Sequence, residues 1–547
     1  MALPADFTTR FWAKDGTLWS DGKYGDAVTG FLGWLDVART MKGRVAELSS
    51  FVAEVRAAGF ERVVLAGMGG SSLAPLVLHE CLALQAGPGN GGDPLPFAVL
   101  DSTDPGTVLR IERLGPVEKA LFVIASKSGS TAEPNAFNDY FYAAVKRVKG
   151  DAAGENFAAI TDPGSPFEAA AKAAGFRKIF LNFADIGGRY SALSYFGLVP
   201  AALMGLDVDK LLDRAIAVCE ANGPGTAVDA APAVALGKHL GELAQGGRDK
   251  LTFLLPEKLR TLGLWFEQLV AESTGKEGKG ILPVALEEAG PPSVYGPDRV
   301  FAYIRERHED PASTGTLGSL VADLRDAGSP VIDVAMEDLY DIGAEFMRWE
   351  IATAVAGAVI GINPFDQPNV QESKDVTKKY VHEVETQGSL PVEAPDVSGD
   401  GLKVYGIGGK TPVAAFHAFL VEVQECDYVG LQAYLMETEP VSHCLRELQA
   451  KIRDHKKVAV TNGYGPRFLH STGQFHKGGP NTGHFIQFTQ ADAEDAPLPG
   501  KGYTFGVFRN AQARGDRETL LSHHRRVICI DLGADPRAAL ESLLYSF

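Results

Sequence analysis

The sequence predicts an α/β chain of two units, each a mainly parallel sheet flanked by helices, with added helical segments. Short apolar runs such as Arg62-Val-Val-Leu-Ala66 and Ala120-Leu-Phe-Val-Ile-Ala125 alternate with helix-spaced stretches, the pattern of successive βαβ crossovers. Two of these runs stop abruptly in loops of glycine or small hydroxyl residues that open a helix. A break at Ala221-Asn-Gly-Pro-Gly-Thr226 is followed by a second series of the same kind.

The stretch Ile124-Ala-Ser-Lys-Ser-Gly-Ser-Thr-Ala-Glu-Pro-Asn135 organises the rest. A strand ending at Ala125 feeds a loop and then helical spacing from about Thr131 to Val145. Free backbone N–H groups and the positive helix end converge there, and Ser126, Ser128, Ser130 and Thr131 add hydroxyl donors. That is a phosphate cradle; an ordinary capped strand-to-helix turn is the alternative. The net charge of −17 sharpens the choice, because a broad nucleic-acid surface needs a positive face. An anionic ligand must be small and locally held.

At 547 residues the chain is long enough for two or three domains, and 45% hydrophobic with 22% charged residues is a globular composition. Five scattered cysteines without Cys-x-x-Cys point to thiols in a reducing compartment. The start, Met1-Ala-Leu-Pro-Ala-Asp6, lacks a basic stretch before an apolar one, so no secretory leader is expected. The longest apolar run, 351–362, is too short to span a bilayer. The expectation is a cytoplasmic protein without membrane or nucleic-acid partners. With no His-Glu-x-x-His and no tight Cys/His cluster, neither metal nor cofactor is expected.

In chain order, residues 1–60 read as a helical segment. The strand at 62–66 then leads into Gly67-Met-Gly-Gly-Ser-Ser72 and a helix from Ser72 to about Leu84. This loop imitates a dinucleotide fingerprint with Asp101 as its ribose acid. Its third glycine is replaced by Ser72, however, and Asp101 lies beyond the usual interval of ~20 residues. Strands at 157–161 and 178–182 follow. Gly187-Gly-Arg-Tyr-Ser191 then places Arg189 just before a helix, where it could meet an anion; a surface ion pair is the commoner fate. In the second unit a strand at 250–255 precedes a helix at 259–273. Glu272 sits in its last turn, where the dipole opposes a carboxylate, as suits a general base. Strands at 299–304 and 330–334 and a helix at 340–362 lead to Asn363-Pro-Phe-Asp-Gln-Pro-Asn-Val370 and Lys374. Residues 386–402 read as a linker, and 411–434 and 445–454 as helices of no assignable role. Tyr405-Gly-Ile-Gly-Gly-Lys-Thr411 ends like a Walker loop, but Val404 occupies its first glycine position. Strands at 457–460, 484–488 and 526–530 enclose a polar loop with His470 and His476, while His523 and His524 read as surface residues.

Together these motifs resemble the glucose-6-phosphate isomerase family, built from two sugar-isomerase domains. Gly67-x-Gly-Gly-Ser71, Ser126-Lys-Ser-Gly-Ser-Thr131, Gly188-Arg-Tyr-Ser191, Glu272-Ser-Thr-Gly-Lys276 and Asn363-Pro-Phe-Asp-Gln367 followed by Lys374 match in family order. The domains implied are 61–220 and 221–385, after the helical segment 1–60. A linker and helical insertion would fill 386–455, and 456–547 would complete the second domain and the active site.

The resemblance implies a homodimeric enzyme of glycolysis and gluconeogenesis that interconverts glucose 6-phosphate and fructose 6-phosphate through an enediolate. Ser126, Ser128, Thr131 and the Lys127 backbone would hold the phosphate. Gly70, Ser71, Gly188 and Gln367 would line the sugar site. Glu272 would carry the proton between C1 and C2, with Arg189 beside the enediolate, and Lys374 and a histidine would open the ring. The chain departs from most relatives at that histidine. His308 lies in a charged turn, whereas His470-Ser-Thr-Gly-Gln474 through Gly479-Pro-Asn481 matches bacterial relatives but follows Lys374. This order resembles the isomerase half of fused transaldolase–phosphoglucose isomerase proteins, and the chain opens directly in that half. The spacing to Gln474 selects His470 over His476. In the family this histidine commonly comes from a partner subunit, which is the reason for expecting a dimer. Mannose 6-phosphate as a further substrate is left open. A non-catalytic sugar-phosphate sensor would need the cradle without Glu272, Arg189 and Lys374 together, and a dehydrogenase would need only the first glycine loop.

Overall fold

Five parallel strands make the first sheet: β1 (Arg62–Ala66), β2 (Phe97–Leu100), β3 (Ala120–Ala125), β4 (Phe157–Thr161) and β5 (Lys178–Leu181). Their order is β2-β1-β3-β4-β5. β1, β3 and β4 are buried throughout, as central strands covered on both faces must be. The second sheet is again parallel: β6 (Lys250–Leu254), β7 (Leu282–Val284), β8 (Arg299–Glu306) and β9 (Val331–Met336), ordered β7-β6-β8-β9. The computed structural model describes residues 3–19, 22–84, 94–308 and 311–547.

One continuous core joins these two units and the N-terminal helices. Trp34 stacks on Tyr190 with ring centroids 5.0 Å apart, and the Trp19 indole donates to the Ala354 carbonyl at 2.9 Å. No helix among the described residues is long and apolar enough to cross a membrane.

The expected linker and insertion at 386–455, and the expected completion of the second domain by 456–547, require correction. Residues 397–547 build a third sheet of their own from β10 (Val397–Gly399), β11 (Leu402–Tyr405), β12 (Tyr428–Tyr434), β13 (Ala459–Tyr464), β14 (Gly483–Thr489) and β15 (Arg526–Asp531). The helix expected at 411–434 is a helix, Pro412–Val421, followed by the central strand β12. All seven residues of β12 are buried, and a run apolar at nearly every position does not distinguish a buried helix from a strand between two neighbours. Thr411, the end of the Walker-like string, caps that helix by accepting from the Ala414 N–H at 3.1 Å.

The parallel part of the third sheet runs β13-β12-β14-β15, with β11 and β10 antiparallel at the edge. Second strand outermost, then first, third and fourth: the order of the first two sheets recurs a third time. This unit has its own core around Phe416, Leu431, Leu445, Ile486 and Ile528. It docks on both others. Phe505 and Phe508 join the apolar cluster of Phe137 and Phe141 in the first unit, and Phe475 and Phe485 pack with Ala271 and Val284 of the second.

Candidate active site

The carboxyl ends of β1 and β3 supply the two loops expected from the sequence. In the first, Gly70 passes so close to Gly188 that a Cβ would stand 2.1 Å from the Gly188 carbonyl oxygen, so only glycine fits. Ser71 is buried beside it. In the second, Ser126 is buried with its Oγ unpartnered, and Ser128 and Ser130 share a hydrogen bond of 2.9 Å. Gly129 turns the loop with φ +65°. Thr131 stands at the N-cap of Ala132–Lys149, and its hydroxyl is not spent on capping. The Lys127 side chain turns away to pair with Asp162 and donate to the Ala184 carbonyl at 3.3 Å, and its own carbonyl accepts from the Asp162 N–H at 3.1 Å, so only its backbone N–H is left for the cradle.

The helix Leu262–Thr274 is apolar on most faces, carries Trp265, Phe266 and Leu269, and is buried along nearly its whole length. That fixes its last turn rigidly. Glu272 lies there, 9% exposed, with Oε2 accepting from Gln268 Nε2 at 3.2 Å. Arg189, 3% exposed, donates to Ser273 Oγ (2.8 Å), Gln367 Oε1 (3.0 Å), Pro364 O (2.6 Å) and Asp366 O (2.9 Å). Its Nη1 faces Glu272 Oε1 at 3.4 Å. A guanidinium held on this many sides cannot swing, so its charge is fixed beside the carboxylate.

The third unit supplies the histidine. A short turn, Arg467–His470, brings His470 Nε2 to 3.0 Å from Glu133 Oε1, which also accepts from Gln512 Nε2 at 2.7 Å. Burial pushes the Glu133 carboxyl up, but the His470 ring and the Lys374 ammonium outweigh it and hold the group below its ordinary 4.5. Gln268 Nε2 also donates to the His470 carbonyl at 2.7 Å, so one amide ties the histidine segment to Glu272. A cavity of about 220 Å³ is lined by Ser130, Glu133, Lys374, His470 and Gln512. Lys374 reaches it from the helix Pro368–Gln387.

His476 is elsewhere. It is buried among Tyr428, Phe468 and Phe485, with Nδ1 3.3 Å from Gln432 Nε2. Burial drives its ring well below the usual imidazole value. Asp101, the would-be ribose acid, binds Arg467 through both oxygens at 2.8 Å and anchors the His470 turn. Glu133 and Gln512 are the residues that sequence reasoning passed over. The signal for Glu133 is its place on the apolar face of its helix, one turn before Ala136 and Phe137, which are both buried. His470 reaches Glu133 from within the same chain.

A family model described as Phosphoglucose isomerase matches residues 30–285. A glucose-6-phosphate isomerase of Rubrobacter xylanophilus is 32% identical over 386 residues, covering 63% of this chain and 88% of that one. A probable glucose-6-phosphate isomerase of Haloarcula marismortui is 30% identical over 360 residues, covering 59% and 78%. Among solved structures, a hypothetical protein from Thermus thermophilus aligns with TM-score 0.57 and 26% identity over 68% of this chain and 98% of that one. A glucose-6-phosphate isomerase of Chlamydia trachomatis shares the fold, with TM-score 0.53 and 22% identity over 65% and 75%.

Proposed function

The chain belongs to the glucose-6-phosphate isomerase family, and from that premise we propose that it interconverts glucose 6-phosphate and fructose 6-phosphate through ring opening and a cis-enediolate, without a metal ion. The observation that carries this reading is the pairing of the Glu272 carboxylate with the immobilised Arg189 guanidinium at 3.4 Å. Moving a proton between neighbouring carbons on one face needs a single carboxylate, and the oxyanion that develops needs a fixed positive charge in place before the reaction.

The remaining residues divide the work. The unpartnered Ser126 hydroxyl, Ser128, Thr131 and the backbone at Lys127 receive the phosphate at the N-terminus of Ala132–Lys149. Holding the distant phosphate orients the reacting carbons. Gly70, Ser71, Gly188 and Gln367 line the sugar. His470, steadied by Glu133, and Lys374 exchange protons with the ring oxygen and the C1 hydroxyl as the pyranose opens. Glu272 then takes the proton from C2 and returns it to C1. All five cysteines are free among the described residues, which supports placing the enzyme in the cytoplasm.

The test is conversion of fructose 6-phosphate to glucose 6-phosphate by the purified protein with chelator present, beside Glu272→Gln. Activity in the wild type that collapses in the variant supports the reading. A folded wild type that binds the sugar phosphate without converting it contradicts it.

A further inference from the structure

Lys276 closes the motif that begins with Glu272, yet it faces away from solvent and is 3% exposed. Its Nζ donates to Ser273 O at 3.1 Å and Asn363 O at 2.6 Å, and stands 3.0 Å from Asp366 Oδ1. An ammonium has three N–H donors, and here three oxygens surround it. Two belong to the loop that follows the helix Ile342–Ile360, and the third is a carbonyl at the C-terminal end of the Glu272 helix.

The same two segments are gripped from the other side by Arg189. Its Nε uses Ser273 Oγ, while Nη1 and Nη2 use Gln367 Oε1 and the carbonyls of Pro364 and Asp366. Two buried cations therefore clamp one loop to one helix end. Burial, helped by the nearby Arg189 charge, brings the Lys276 ammonium down to about 7, and Asp366 and Glu272 act to keep it charged. The charged groups acting on Lys276 are Arg189, Asp366 and Glu272.

We propose that Lys276 is a positioning residue for the isomerisation: it fixes the 363–367 loop against the Glu272 helix, and so sets where the Arg189 charge stands relative to the Glu272 carboxylate. The inference rests on the proposed isomerase activity. A displacement of about 1 Å at such a site costs on the order of 100-fold in turnover. The phosphate cradle lies on the first sheet, and none of the oxygens that hold this ammonium belongs to it.

The experiment compares wild type, Lys276→Met and Lys276→Arg by kcat, KM and pH profile, with inorganic phosphate as a competitive inhibitor. In Lys276→Met, kcat is expected to fall about 100-fold while the inhibition constant for phosphate stays within about threefold. Loss of a positive charge near Glu272 moves the acidic limb of the kcat profile to higher pH, and Lys276→Arg moves it back. A kcat within about twofold of wild type overturns the proposal. So does a parallel weakening of phosphate inhibition, which marks general damage. Should Lys276→Met not fold, Lys276→Arg decides: a wild-type acidic limb with reduced kcat supports the proposal, and unchanged kcat overturns it. An inactive wild type defeats the isomerase reading itself, a result distinct from either.

Discussion

His470 Nε2 lies 3.0 Å from Glu133 Oε1, and the two residues belong to the third and first units of one chain. Neither sheet could make this contact alone. His470→Ala is expected to lower kcat by about 10²–10⁴-fold. Glu133→Gln should produce a smaller loss in the same direction. His476→Ala is the contrasting control, because it empties part of an aromatic cluster: stability falls by about 2–4 kcal/mol while kcat at low temperature is retained. Thermal unfolding and steady-state kinetics on the three variants check this together.

Because His470 and Glu272 reach the site from the same chain, defects in them should not complement one another. Co-expressed Glu272→Gln and His470→Ala chains are expected to give no more activity than either alone. Recovery of a substantial fraction of wild-type activity would mean that the histidine crosses between chains.

Arg189→Lys keeps a positive charge but cannot span Ser273, Gln367 and the 364–366 carbonyls at once. Turnover should drop by about 10²–10³-fold, with KM for fructose 6-phosphate changing far less. An equal effect on kcat and KM would place Arg189 in substrate binding instead.

The first sheet, three of the four strands of the second and both glycine or hydroxyl loops were legible in the sequence, because buried parallel strands read as uninterrupted apolar runs that stop at sharply different chemistry; the three-residue edge strand β7 was too short to show. Glu272, Arg189 and Gln367 were legible only as motifs, and their proximity depends on crossovers that separate them by many residues in the chain. In the third sheet the strands at β13, β14 and β15 were legible, but β10, β11 and the central β12 were not, so the sheet was not recognised as a unit of its own. Tyr428-Val-Gly-Leu-Gln-Ala-Tyr434 is apolar at nearly every position and so carries no period, and its neighbours β13 and β14 lie far along the chain. Glu133 was missed for a related reason: a glutamate in the first turn of a helix has an ordinary role at the dipole, and only the docking of the third unit turns it toward His470.

Glu267 makes a pH prediction whose sign is fixed by its burial. It is 4% exposed, and burial pushes its carboxyl up to about 8, with Ser471 and Arg467 pulling weakly the other way. A carboxyl with a folded value above its unfolded 4.5 costs no stability below 4.5. The cost grows as pH rises toward 8 and is constant beyond. Glu267→Gln removes it, so the variant should gain on the order of a few kcal/mol over wild type between pH 4.5 and pH 8. Urea midpoints at the two pH values measure the difference. An unchanged gap would mean that the buried carboxyl is not protonated at neutral pH.

Everything in the proposed reaction turns on one carboxylate, Glu272, that carries a proton between C2 and C1 beside a fixed guanidinium. Glucose 6-phosphate deuterated at C2 and converted in ordinary water reports on that transfer. Part of the label is expected at C1 of fructose 6-phosphate and part in the solvent, and Glu272→Gln is expected to abolish both. Unaltered conversion by Glu272→Gln would contradict a proton carried by this carboxylate.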